Sequence, residues 1–123
     1  MSVWVIMQRS NVVKDKSFDL AVKIVKLAIE LQQKKEFILS KQIIRSGSSV
    51  GALIREAEHA ESRADFIHKF GIAQKEINET LYWLELLQAT NYISSERFEP
   101  LSKDVIEIRK IITRIIVTTK EKK

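Results

Sequence analysis

Two glycines four residues apart, set in a run of small residues with helical periodicity on either side, limit what this chain can fold into. The run is Arg45-Ser46-Gly47-Ser48-Ser49-Val50-Gly51-Ala52. Ile43, Ile44, Val50, Leu53 and Ile54 give it an apolar side at spacings of three and four, the period of a helix. Each glycine costs about 1 kcal/mol of helix propensity relative to alanine. Two such costs on neighbouring turns call for a contact that offsets them. Small side chains let a second helix come to the low end of the ~8–10 Å interaxial range. The run therefore predicts a helix pressed against another helix. The whole chain has only three glycines and one proline. Turns are few, elements are long, and the fold class is all-α.

The rest of the chain divides around this stretch. Val3 to Met7 is apolar and β-prone, and residues 1–12 are expected as a non-helical N-terminal extension. A first helix is predicted to start near Ser17 as N-cap, with Phe18, Ala21, Ile24, Leu27, Val25, Ala28 and Leu31 on its buried stripe. Lys16, Asp19, Lys23, Lys26 and Glu30 fall on the other side. A polar link from Gln32 to Glu36 leads to a second helix, which Ser40 could cap. Ser62, with Asp65 three residues on, opens a third in a box-like cap. Its stripe of Phe66, Phe70, Ala73, Ile77, Leu81 and Leu84 widens at Tyr82, Trp83, Leu86 and Leu87. Such width implies burial on more than one side. Thr90-Asn91 is the stop, because asparagine tolerates the left-handed conformation.

Ser94 or Ser95 caps a fourth helix with Phe98, Leu101, Val105, Ile108, Ile111, Ile112, Ile115 and Ile116 in its core. Pro100 predicts a kink or a delayed start. Residues 120–123 are expected as a disordered basic tail. Four helices with short links make an antiparallel up-down-up-down four-helix bundle, a single domain over residues 1–123.

Charge sharpens this reading. The net charge is +5. Residues 1–50 hold nine Lys/Arg against four Asp/Glu, residues 51–100 five against nine, and residues 101–123 seven against three. Basic outer helices can meet phosphates, basic and acidic surfaces of different subunits can meet each other, or the charges simply form a solvated surface. No segment approaches the ~20 apolar residues of a membrane span, so no membrane partner is expected. A chain without cysteine suits a reducing cytoplasm.

Several stretches together resemble a known family. They are Asn11-Val12-Val13-Lys14-Asp15-Lys16-Ser17-Phe18, Leu39-Ser40-Lys41-Gln42, the small run from Arg45 to Ala52, and Arg55-Glu56-Ala57. Ser62-Arg63-Ala64-Asp65-Phe66-Ile67, Gly71-Ile72-Ala73, Lys75-Glu76 and Glu79-Thr80-Leu81-Tyr82-Trp83-Leu84-Glu85-Leu86-Leu87 follow in order. The chain resembles the four-helix bundle proteins that include those encoded in intervening sequences of 23S ribosomal RNA genes. It departs at Leu53, where the family pattern carries asparagine. The resemblance implies a homo-oligomer, a closed ring of typically five protomers, and no catalytic activity. Through the related accessory proteins of diversity-generating retroelements it also implies RNA and a reverse transcriptase as partner classes.

The residues themselves name few chemical groups. Arg45, beside the small patch, is expected to be partly buried and to need Glu76, Glu85 or Glu56 as partner. Arg45, Gly47, Ser48, Gly51, Glu76, Trp83 and Glu85 are read as packing and assembly positions. Glu56, Glu58, His59, Glu61 and His68 are metal-ligand types, but they do not share one helix face, so no metal or cofactor is expected. Nothing positions a nucleophile with a base, so no catalytic residue is named. For RNA or DNA the candidate surface is Lys23, Lys26, Lys103, Lys110 and Arg114, backbone-directed and salt-dependent. Two functions stay open: a nucleic-acid or ribonucleoprotein adaptor, and a scaffold that binds a protein and no nucleic acid.

Overall fold

The computed structural model describes residues 3–121. Four helices follow one another: α1 Val3–Gln33, α2 Ile38–Ala57, α3 Arg63–Ala89 and α4 Ser95–Glu121. Each packs on two neighbours, in the order α1–α2–α3–α4 and back to α1. Side-chain pairs give the directions. Glu30–Arg97, Lys23–Asp104 and Lys16–Glu107 run backwards along α1 and forwards along α4. Gln88–Ser95, Asn78–Arg109 and Gln74–Thr113 do the same between α3 and α4. The bundle is antiparallel throughout. Its core is aliphatic, from Leu20, Ile24, Leu27 and Leu31 on α1 to Val105, Ile108, Ile112 and Ile115 on α4, with Phe70 its one fully buried ring. Among the described residues no helix is long and apolar enough to cross a membrane.

The glycines of α2 face α1. A Cβ on Gly47 would stand 2.9 Å from Ile24 Cγ2, and one on Gly51 would stand 3.3 Å from Ser17 Oγ. Ser46 faces α3 instead, where its hydroxyl oxygen lies 3.0 Å from Thr80 Oγ1 with both side chains buried. One small-residue surface thus serves two seams. Ser48 and Ala52 point to solvent, and the Ser48 hydroxyl donates to the Arg45 carbonyl at 3.3 Å.

The links are built without glycine. Lys35 ends α1 at φ 65° and Asn91 ends α3 at φ 67°. After each the next amide donates five residues back, Glu36 to Leu31 and Tyr92 to Leu87, both at 2.9 Å. These are Schellman turns. Ser62 caps α3, its Oγ accepting the Asp65 N–H at 3.0 Å, and Asp65 Oδ2 accepts the Glu61 N–H at 3.2 Å. Ser94 caps α4 by accepting the Arg97 N–H at 3.1 Å.

The helix ends differ from the sequence expectation in four places, three at helix starts and one at the end of α4. α1 starts at Val3, fourteen residues before Ser17, so residues 3–12 are not a non-helical extension. Ile6 and Val13 continue the stripe that Ser17 and Leu20 carry into the core, and this burial outweighs the β preference of Val3 to Met7. Ser17 lies mid-helix, fully buried, with its hydroxyl donating to the Lys14 carbonyl at 3.0 Å. Phe18 is 53% exposed, under the Arg55 guanidinium, which lies 5.3 Å from its ring centroid.

Second, Ser40 does not cap α2. Phe37 holds the cap position without a side-chain bond, and the buried Glu36 carboxylate accepts the Ser40 N–H at 2.8 Å. Third, α4 starts at Ser95 and runs through Pro100 without delay. The carbonyl left without a donor belongs to Glu96, which is exposed, so water can satisfy it. Lys120 and Glu121 are helical, whereas Lys122 and Lys123 lie outside the described residues, as do Met1 and Ser2.

Gly47→Ala is expected to destabilise the bundle by about 1–3 kcal/mol, because its methyl would press on a β-branched side chain held by the core. Gly51→Leu is expected to do so by more. Denaturant unfolding followed by circular dichroism measures both, and unchanged midpoints would refute the packing role.

Candidate functional site

Arg45 anchors the first polar cluster. Its Nη1 reaches Glu76 Oε2 at 3.1 Å, and its Nη2 pairs with Glu79. Glu79 Oε2 also accepts from Trp83 Nε1 at 2.9 Å, and the Trp83 ring meets Tyr82 edge-on at 5.0 Å between centroids. The guanidinium was expected to be partly buried, but its side chain keeps 49% of its exposure. The α2–α3 register places it at the outer edge of the seam rather than behind the small patch. Glu85, six residues beyond Glu79 on α3, stands exposed, and Glu56 pairs with Lys69 at 3.1 Å. The cluster clamps α2 to α3 and offers no open coordination to a ligand.

The five candidate basic residues separate into unlike groups. Lys23 is tied to Asp104 at 2.8 Å. Lys26 and Lys103 are exposed on α1 and α4. Lys110 and Arg114 share a groove between α3 and α4 with Gln74, Arg109, Thr113, Val117 and Thr118, a space of about 540 Å³. None of the seven lining residues is acidic. Arg109 donates to the amide oxygen of Asn78 at 3.3 Å and Gln74 donates to Thr113 at 2.7 Å. Among the described residues, Arg109, Lys110 and Arg114 form no ion pair, whereas Lys14, Lys16, Lys23, Arg45, Lys69 and Arg97 each hold a carboxylate. Three cations concentrated on little more than one helical turn, facing donors and no acid, make an anion-attracting surface.

Elsewhere the ionisable groups serve the scaffold. A hydrogen bond and the charge of Glu107 raise the Lys16 ammonium above its ordinary value, and Glu56 does the same to Lys69. A raised lysine contributes stability that is complete below the unfolded value and lost as pH climbs through the folded one. These pairs therefore weaken only in strong alkali. Of the metal-ligand types, Glu56 and Glu58 are paired with Lys69 and Lys14, and His59, Glu61 and His68 are exposed and dispersed. Among the described residues no three such side chains converge.

Sequence spacing missed Glu79, Arg109, Gln74 and Thr113. The first could have been found as Arg45's second partner from the three-residue step after Glu76. The others become a site only through the α3–α4 register, which no local pattern encodes.

The family model of the 23S rRNA-intervening sequence protein matches residues 9–114. Among solved structures, a Bacteroides thetaiotaomicron protein of unknown function from the S23 ribosomal protein family is 56% identical. The alignment covers 89% of this chain and 98% of that one, with a TM-score of 0.86. No curated protein matches.

A double-mutant cycle on Arg45→Ala and Glu79→Gln is expected to give a coupling of about 0.5 kcal/mol, the scale of a half-exposed pair. Trp83 emission should shift when its acceptor is lost. A coupling above about 2 kcal/mol would mean that the pair is buried in the assembled protein.

Proposed function

The chain belongs to the 23S rRNA-intervening sequence protein family, and from that membership we propose that it is a non-enzymatic, homo-oligomeric helical adaptor, acting in the cytoplasm, that binds RNA or DNA through the basic face of α4. The observation that carries this reading is the grouping of Arg109, Lys110 and Arg114 along one groove that no acidic side chain lines. Holding three like charges together opposes folding, so their grouping is best explained by an anionic partner. Self-association is supported by large apolar side chains left in water, among them Trp4 at 65%, Ile38 at 76%, Tyr82 and Phe18. A ring, five-membered as the family resemblance implies, would repeat the basic groove once per subunit. Weak single contacts would then add through avidity.

A second reading rests on the same exposed apolar residues. Phe37 and Ile38 project at the α1–α2 turn, where a protein partner could bind without any nucleic acid. Nucleic-acid binding separates the two.

For protein purified in high salt, light scattering should give a mass several times the protomer's. A labelled single strand should bind at low salt and dissociate as salt rises, with a slope of about −0.7 per phosphate contact. Lys110→Glu with Arg114→Glu should abolish binding and leave the mass unchanged. A multimer that retains no strand at any salt would favour the protein scaffold, and a monomer would remove both readings.

A further inference from the structure

Three glycines interrupt the helices, and two are accounted for by contacts of the chain with itself. The third, Gly71, is not. A Cβ built on it would meet nothing within 4 Å. No glycine has positive φ, so the backbone does not require it either. Inside α3 it costs about 1 kcal/mol against alanine with no return within the protomer.

Its position gives the missing reason. Gly71 lies three residues before Gln74 and seven before Asn78, the side chains that bind Thr113 and Arg109 on α4. Side chains three and seven apart share a helix face. In the same antiparallel register the next level of α4 is that of Val117, which lines the basic groove with Arg114 and Thr118. A glycine is the residue that lets another molecule's backbone come close to a helix.

We infer that the α3–α4 groove is the binding cleft for one strand of nucleic acid. Its sugar–phosphate backbone passes between Gln74 on one bank and Arg109, Lys110, Arg114 and Val117 on the other, and continues over the open space beside Gly71, which lies one turn of α3 beyond the lining residues. This rests on the nucleic-acid reading above and adds the place and the mode. The volume, about 540 Å³, falls among those of small-ligand pockets. It holds a nucleotide-sized unit rather than the width of a duplex. Three cations meet the phosphates, the Gln74 amide and the Thr113 and Thr118 hydroxyls meet ester and sugar oxygens, and Val117 packs on the sugar. No aromatic ring lines the groove, so bases are not stacked and the strand is held without regard to sequence. An acidic peptide would match the charge, but with Val117 as the single aliphatic side chain there the groove lacks the apolar anchors that fix a peptide.

The test uses the full chain, a fluorescein-labelled oligouridylate as probe, and four proteins: the parent, Gly71→Ala, Gly71→Leu, and Lys110→Glu with Arg114→Glu. Because the space beside Gly71 is open, both Gly71 variants should fold, and alanine should raise the melting temperature. Leucine should weaken probe binding about tenfold or more at unchanged mass and circular dichroism. Full affinity in Gly71→Leu alongside loss in the charge-reversed protein would overturn the cleft while leaving nucleic-acid binding intact. A parent that does not bind the probe would remove the function and the cleft together. A change of oligomer mass in Gly71→Leu would mean that a second copy of the chain fills the space, and would overturn the inference. Displacement of the probe by polyglutamate as readily as by unlabelled oligouridylate would overturn the assignment to phosphodiesters.

Discussion

The close contact of α2 with α1 governs the placement of everything else. Gly47 against Ile24 and Gly51 against Ser17 leave no room for a methyl group without movement. Once α2 is drawn in at these two levels, its other edge is fixed. Ser46 meets Thr80 and Arg45 reaches Glu76 and Glu79, which sets the height of α3. The height of α3 sets that of α4 through Asn78 and Gln74, and with it the width of the basic groove. The shape of the basic groove is thus determined two seams away, by residues that never touch it.

The fold was readable because its period was. Ile24, Leu27, Leu31, Phe70, Ile77, Val105, Ile108 and Ile112 recur at helical spacing and are all buried. Asn91 stopped α3 as its left-handed tolerance implied, and Ser62 with Asp65 formed its cap. Errors came where burial overrode a local signal. Val3 to Met7 read as β-prone, yet one buried position in that stretch, Ile6, with Val13 a further two turns on, was enough to extend the helix. Lys35 made a left-handed stop that no residue preference announced, because the Leu31 carbonyl and the Glu36 amide outweighed its steric cost. Ser17 and Ser40 looked like caps but are small buried positions, one under Gly51 and the other beside Glu36.

The candidate site was less legible. A sequence gives the charge of Lys23, Lys110 and Arg114 alike, but not which will find a carboxylate across a seam. Lys23 faces Asp104 across a span of eighty-one residues, a relation fixed only by the register of α1 on α4. The same register leaves Lys110 and Arg114 without acids. Glycine posed the converse problem. The small-residue run marked Gly47 and Gly51 as contact positions, which both make against α1, but nothing in the chain showed that Gly71 meets no neighbour within 4 Å.

The seam between α1 and α4 has a further consequence for how the protein reaches this shape. The other three seams join helices consecutive along the chain, each an antiparallel hairpin with a link of four or five residues. Among the described residues only α1 with α4 brings remote segments together, and there Lys16, Lys23 and Glu30, seven residues apart, meet Glu107, Asp104 and Arg97. Such a chain can form by adding hairpins in sequence, with a single large loop closed at the end. Opposite charges at three levels then act as the latch that registers the first helix against the last.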